Sequence, residues 1–310
     1  MLFARDGVRL AATLFEPETP NGAALLLNGG TGIPRRFYGT FASHLARRGF
    51  TVLTYDYRGI GDSEAPPSAS VEQWGRIDQA SMIDHLARLR PGAALGLIGH
   101  SFGGQVLGLA DNIAAVDAAV LICSQSGHWR HWPRGRRRLR MLALWWLLIP
   151  GLTAATGRFP GSWIGTANLP ANIARSWARW GRSPHYVCDA RGRPLRPHNE
   201  DVRFPVRWMS FSDDPVAPLG AVEALRSYYP NAPVERRHLA PVDLGTAAIG
   251  HFGFFRKSMP HEAWDDLASW LAARLRLPRA RGQTGRYELE EAPPCPHPTS
   301  LPTSKTASAG

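Results

Sequence analysis

The sequence predicts an α/β protein built on a mostly parallel, doubly wound sheet, and three observations carry that expectation. Short, continuously apolar runs recur at 23–28 (AALLLN), 94–98 (ALGLI) and 116–123 (VDAAVLIC), separated by segments of helical period. A strand apolar throughout is one buried on both faces, as in a parallel sheet covered by helices. The chain has 310 residues, 44% of them hydrophobic, enough for one large domain carrying an insertion.

In chain order, VRLAATLFEP (8–17) alternates like an exposed early strand, and AALLLNGG (23–30) reads as a buried strand ending in glycines. RFYGTFASHLARRG (36–49) spaces Phe37, Phe41 and Leu45 four apart and stops at Gly49, which predicts a helix. FTVLTYD (50–56) resumes β-branched and aromatic character and completes a βαβ unit. A turn-rich YRGIGDS (57–63) leads to a helix over 71–90 closed by Pro91, the strand at 94–98, a helix from Phe102 to about Ile113, and the strand at 116–123. The alternation then lapses for about eighty residues and returns with the strand FPVRWMSF (204–211), a helix near 219–229, the strand PVERRHL (233–239) and an amphipathic helix over 261–277. The expected organisation is therefore a core over 1–124 and 204–277, an insertion over 125–203 between two late strands, and a Pro/Ser/Thr-rich disordered tail over 278–310.

Charge marks out the insertion. The formal net charge is +11, yet between Gln125 and His198 there are thirteen arginines against one acid, Asp189, so the rest of the chain is close to neutral. Seven of the eleven tryptophans lie in the same window. The three cysteines, Cys123, Cys188 and Cys295, show no metal-ligand or disulfide spacing, and free thiols are expected. MLFARDGVRL lacks the apolar core of a secretory signal, so a cytoplasmic location is expected.

GHSFGG (99–104) lies where the strand at 94–98 meets the next helix. Gly-x-Ser-x-Gly at such a junction suits a turn so tight that a bulkier residue at either glycine would strike the crossing backbone. It places Ser101 at a helix start, where the following amide, that of Phe102, can hold an oxyanion. A serine nucleophile needs a histidine to accept its proton and a carboxylate to orient that histidine. On this arrangement they follow in the order Ser, Asp, His. SFSDDPVAP (210–218) offers Asp213 and Asp214 after a strand, and IGHFGFF (249–255) offers His251 after the next. His100, His238, His261, His185 and His198 are weaker candidates; His100, beside the serine, is expected to pack or hydrogen-bond.

LLLNGGTG (25–32), YDYRGIGDS (55–63), GHSFGG (99–104) and the SFSDDPVAP and GHFGFF pair together resemble the α/β-hydrolase superfamily over about residues 1–276. The likeness is to its predicted alpha/beta hydrolases, related to serine hydrolases and lipase-like proteins. The resemblance implies the α/β-hydrolase type of sheet with a helical lid in the insertion. It also implies Asp214 as the acid, with Asp213 as runner-up, and a second oxyanion donor at the amide of Gly30, or Thr31 one step on. Asn28 stands where many relatives carry histidine. Asp56, Arg58 and Asp62 are expected to pair structurally beneath the site.

These readings converge on a serine hydrolase acting on an ester or thioester of a small-molecule acyl substrate, with no metal or organic cofactor. An acyltransferase would share every catalytic residue, and a lipid- or partner-binding protein could keep the fold without turnover. HWRHWPRGRRRLRMLALWWLLIP (128–150) joins arginines to an apolar run of about ten residues, where a membrane span needs ~20. It reads either as a lid helix over an acyl pocket or as an interfacial helix on an anionic membrane; nucleic acid fits poorly over a triad-bearing sheet. Thr31, Trp145, Trp146 and Arg136 are the candidate substrate contacts, and arginines near a pocket mouth would favour an anionic or lipid-like acyl group.

Overall fold

Seven strands form the central sheet: β1 (Ala12–Phe15), β2 (Ala23–Asn28), β3 (Thr51–Tyr55), β4 (Ala94–His100), β5 (Ala118–Ile122), β6 (Val206–Phe211) and β7 (Val234–Leu239). The computed structural model describes residues 1–275, so the expected tail and Cys295 lie outside the described residues. Strand order is β7-β6-β5-β4-β2-β3-β1, and every pairing is parallel except that of β1 with β3. Every residue of β2, β3, β5 and β6 is buried, which is the burial their unbroken apolar character demands. The edge strands β1 and β7 are partly exposed.

Helices α1 (Gly39–Arg47), α2 (71–89), α3 (Phe102–Gln105), α6 (Leu219–Arg226) and α7 (His261–Leu275) flank the sheet. Phe41 of α1 meets Trp264 of α7 edge to face, with ring centroids 5.5 Å apart. Helix α2 opens into a π-helical stretch at Trp74–Gln79. This stretch buries Asp78 against the Arg58 guanidinium at 2.7 Å and turns Gln79 inward.

Two expected elements are broken. The strand over 8–17 splits at Ala11, whose amide leaves the ladder for the Ser63 hydroxyl while its carbonyl accepts the Asp56 amide. The helix expected from Phe102 to about Ile113 ends at Gln105 and gives way to short 3-10 turns. Gln79 Nε2 donates to the carbonyls of Val106 and Leu107, so those acceptors are satisfied without a continuing helix.

The segment between β5 and β6 contains α4 (Arg136–Thr156), α5 (Ala171–Arg182) and a two-stranded ribbon pairing Arg158–Phe159 with Leu169–Pro170. Helix α4 runs through its own π-helical turn at Leu144–Leu148 and reaches 21 residues, twice the apolar run seen in the sequence. By length and composition it could cross a bilayer, which corrects the expectation drawn from the shorter run. Its buried residues Trp145, Ile149 and Thr153, spaced by four, fasten one face to the fold. Gly181 of α5 admits that contact, because a Cβ there would stand 2.2 Å from the Trp145 ring.

The approach of α3 to the sheet is equally close. A Cβ on Gly103 would lie 2.2 Å from the Asn28 carbonyl oxygen at the end of β2. Gly103→Ala is therefore expected to destabilise the protein by about 1–3 kcal/mol or more. Gly39→Ala, at an ordinary helical φ of −56° with nothing within 4 Å of the new methyl, is expected to stabilise by about 0.4–1 kcal/mol. Urea unfolding of the two variants checks the contrast; equal midpoints would refute it.

Candidate active site

The chain leaves β4 at His100 and enters α3 at Phe102, with Ser101 between them at φ 50° and ψ −108°. That conformation is strained for a residue with a Cβ and persists only where the surroundings impose it. They do so here: Ser101 N donates to the Ile122 carbonyl at 2.8 Å, and Gly104 N donates to the Ser101 carbonyl at 3.2 Å. Gly99 and Gly103 leave room for backbones that any Cβ would strike. The Ser101 side chain lines a cavity of about 350 Å³, and among the described residues its hydroxyl makes no hydrogen bond.

His251 lines the same cavity. It sits in the loop after β7, and its Nδ1 lies 2.8 Å from Asp214 Oδ2 in the loop after β6. Nδ1 donates to the carboxylate, which leaves Nε2 with a lone pair. Asp214 Oδ1 accepts the amides of Val216 and Ala217 at 2.7 and 3.1 Å. Burial raises the pKa of Asp214, but the hydrogen bond and charge of His251 and the Val216 amide outweigh it, so the carboxyl titrates below its ordinary value. Asp213 instead accepts the amides of Ile249 and Gly250 at 2.8 and 3.0 Å and holds the histidine loop. Of the adjacent aspartates, one faces the ring and the other the backbone.

The loop after β2 departs from expectation at Gly30, whose amide donates to the Tyr38 hydroxyl at 2.8 Å and is thereby engaged. The amides of Thr31 and Phe102 have no acceptor among the described residues, and Thr31 lines the cavity beside Ser101. Tyr38 passes the connection on, its hydroxyl lying 2.8 Å from His100 Nδ1, while His100 Nε2 lies 2.9 Å from the His251 carbonyl. A carbonyl only accepts, so Nε2 carries the hydrogen and Nδ1 accepts from the phenol. Burial, reinforced by the neighbouring His251, depresses the pKa of His100 to about 3 and keeps it neutral. Tyr38 was not legible as part of the site; its sequence signal is only that of an aromatic on a helix face.

A family model described as alpha/beta hydrolase fold matches residues 24–149. Similar solved structures extend the match over most of the chain. Est1E from Butyrivibrio proteoclasticus, solved with ferulic acid bound, is 14% identical at a TM-score of 0.59, covering 89% of this chain and 100% of that one. The chain has the α/β-hydrolase fold. DcsB, solved with a substrate analogue, is 16% identical at a TM-score of 0.60, with 88% and 97% of the two chains covered. A monoacylglycerol lipase from Paleococcus ferrophilus is 17% identical at 0.54, with 86% and 99% covered. A comparison with curated protein sequences finds no match.

In this α/β-hydrolase fold the wall of the cavity opposite Ser101 comes from the segment between β5 and β6. Trp132, Met141, Leu144, Trp145, Trp163 and Trp177 supply its apolar surface. Trp145 lines the cavity as expected, but Trp146 and Arg136 are exposed and do not. Trp146 stands on another face of α4, while Arg136 shares a face with Arg140 one turn further along, and Arg140 is the arginine that reaches the cavity. Beneath the site Arg35 Nη1 pairs with Asp56 and, at 2.8 Å, with Asp62, while Arg58 pairs with Asp6 and Asp78 at 2.7 Å. His238 pairs with Ser210 within the sheet, His261 stacks on Trp264, and His198 meets Asp201.

The ligand atoms of His100, Cys123 and His251 lie within 4.8 Å of one another. Both ring nitrogens of His100 and Nδ1 of His251 already have partners, and burial raises the Cys123 thiol well above its ordinary value. A metal there would have to break those bonds and take a proton from the thiol. Cys123 and Cys188 are buried free thiols.

The depressed pKa of His100 has a signed consequence. Between the ordinary imidazole value of 6.5 and about 3 the unfolded chain binds a proton at this position that the folded chain refuses. Its share of stability is complete above 6.5 and is lost as pH falls through that window. Thermal melts from pH 8 to pH 4 are expected to fall less steeply for His100→Gln than for the parent. His44, His128 and His131 are lowered in the same direction but remain in both proteins and cancel. Parallel curves would refute the assignment.

Proposed function

We propose that the protein is a serine hydrolase that cleaves a carboxylic ester or thioester through an acyl-serine intermediate. The shared cavity carries the proposal: Ser101 on a strained turn and His251, hydrogen-bonded to Asp214, line one enclosed space. The esterases and lipases among the similar structures support the reaction class.

Ser101 Oγ attacks the carbonyl carbon as its proton passes to His251 Nε2. The carbonyl π electrons move to oxygen, and the free amides of Phe102 and Thr31 receive that oxyanion at the start of α3; Gly30, with its amide on Tyr38, is replaced by Thr31 in this role. Collapse of the tetrahedral adduct breaks the bond to the leaving alcohol or thiol, which takes the proton from His251. Water then repeats the sequence and returns Ser101. Asp214 keeps the imidazole in the tautomer with Nδ1 protonated and stabilises the imidazolium. Ser101 reaches its bond with His251 when substrate is seated, since such contacts tighten only in the Michaelis complex. No step asks for a metal or cofactor.

A cavity of about 350 Å³ walled by indoles suits a compact apolar or aromatic acyl group. Arg140 is the cation placed to meet a polar or anionic end of that group. A panel of chromogenic esters of graded chain length should show turnover concentrated at short and aryl acyl groups. Ser101→Ala is expected to lower kcat by roughly 10³-fold or more and to abolish labelling by a fluorophosphonate. A folded Ser101→Ala protein with undiminished turnover would overturn the proposal. Asp214→Asn, which exchanges the acceptor for a donor, should cost roughly 10²–10⁴-fold in kcat with KM little changed. Rates within a few-fold of the parent would remove Asp214 from the mechanism.

A further inference from the structure

We propose that the cleft between α4 and α5 is a second binding site, separate from the Ser101 cavity, for a phosphate-bearing anion. The cleft encloses about 320 Å³ and is lined by Pro150, Ala178 and the arginines Arg175, Arg179 and Arg182. Those arginines are four and three residues apart on α5, so they share one helix face. Like charges at that spacing repel. Elsewhere the fold relieves such charge with acids: Arg5, Arg35, Arg58 and Arg207 each pair with two carboxylates. Among the described residues no acid lies within 4.0 Å of Arg175, Arg179 or Arg182, and the one acid of the arginine-rich window, Asp189, is taken by Arg193.

The three side chains are held as a set. Arg175 Nε donates to Thr153 Oγ1 at 3.0 Å, and Arg182 Nη1 donates to the Trp145 carbonyl at 3.2 Å. Both anchors belong to α4, and both leave further guanidinium donors unused. Arg179, between them on the helix face, has a buried Nε with no partner, a cost a native fold carries only for a reason. Three guanidinium groups around one space match a tetrahedral group with several acceptor oxygens and a charge near −2; a single carboxylate offers two oxygens and one charge. The ligand class is therefore a phosphomonoester or diphosphate, free in solution or on a lipid headgroup.

This site does not depend on the hydrolase reading. Trp177 projects from α5 on the side away from the three arginines and lines the Ser101 cavity, while Trp145, whose carbonyl anchors Arg182, presents its ring there as well. Binding in the cleft should therefore perturb indole fluorescence. Titration of the full-length protein with inorganic pyrophosphate at constant ionic strength is expected to give a saturable fluorescence change. Affinity should fall roughly tenfold or more in Arg179→Gln and again in Arg175→Gln, with melting temperature and chromogenic-ester turnover retained. Phosphatidylcholine vesicles with and without phosphatidic acid form the second arm. Sedimentation with the acidic vesicles alone, reversed by pyrophosphate and lost in the variants, identifies a headgroup as the source; saturable pyrophosphate binding without sedimentation identifies a soluble phosphate. Should Arg179→Gln fail to fold, the exposed Arg175→Gln decides. Absence of binding in both arms, equal binding by parent and variants, or a response that sulfate and chloride reproduce at the same ionic strength would overturn the proposal.

Discussion

The site depends on how closely α3 comes down on the ends of β2 and β5. With Gly103 against the Asn28 backbone and Gly99 against that of α3, there is no slack in which Ser101 could relax from its positive φ. Strain of this kind costs on the order of 1–3 kcal/mol and survives only when neighbouring packing over-determines it. Here the over-determination is specific. The Asn28 side chain, which accepts from Tyr55 and donates to Gln79, closes the polar end of β2 without a histidine. Gln79 then satisfies the carbonyls after α3. The same contacts that end α3 early thus hold the turn before it.

A second constraint links loops that are far apart in the chain. Gly30 N–H, the Tyr38 hydroxyl, His100 and the His251 carbonyl form one buried series of hydrogen bonds. Each member has a single polarity that satisfies its neighbours, so the series fixes the tautomer of His100 without any charge. Asp213 adds two bonds to the amides beside His251. The loop that carries His251 is thus held from both sides by backbone contacts, while its ring remains in the cavity to face Asp214. In the proposed mechanism this separation matters: the positioning bonds are made by groups that need not change protonation while the ring does.

Much of this was readable from the sequence because it rests on local rules. Apolar runs, β-branched and aromatic character or alternation marked the strands, and the two glycines around Ser101 announced a turn that only glycine permits. The order of Ser101, the aspartate pair and His251 along the chain matched loops at one end of the sheet. Long-range side-chain choices were not readable. Which amide after β2 is free was decided by Tyr38, whose hydroxyl has no sequence signature. Which arginine of α4 meets the cavity was decided by how far along the helix the cavity lies, since Arg136 and Arg140 are one turn apart on the same face. The early end of α3 was not readable either, since the carbonyls that follow it are taken by the Gln79 side chain, 27 and 28 residues upstream.

The insertion shows how one helix can serve two surfaces. On α5 the positions of Ile173, Ala174, Trp177 and Trp180 turn toward the core or the cavity, and Arg175, Arg179 and Arg182 occupy the remaining arc. Gly181 brings α4 so near that the Trp145 ring and its carbonyl lie on opposite sides of the contact, the ring at the cavity and the carbonyl at the arginines. Displacement of α5 by an occupant on either side would have to move Trp145, because close packing leaves no void to absorb the shift. The concentration of arginine in this window is therefore not a general property of the surface. It places positive charge, without counter-charge, on the back of the wall that the acyl group is proposed to face.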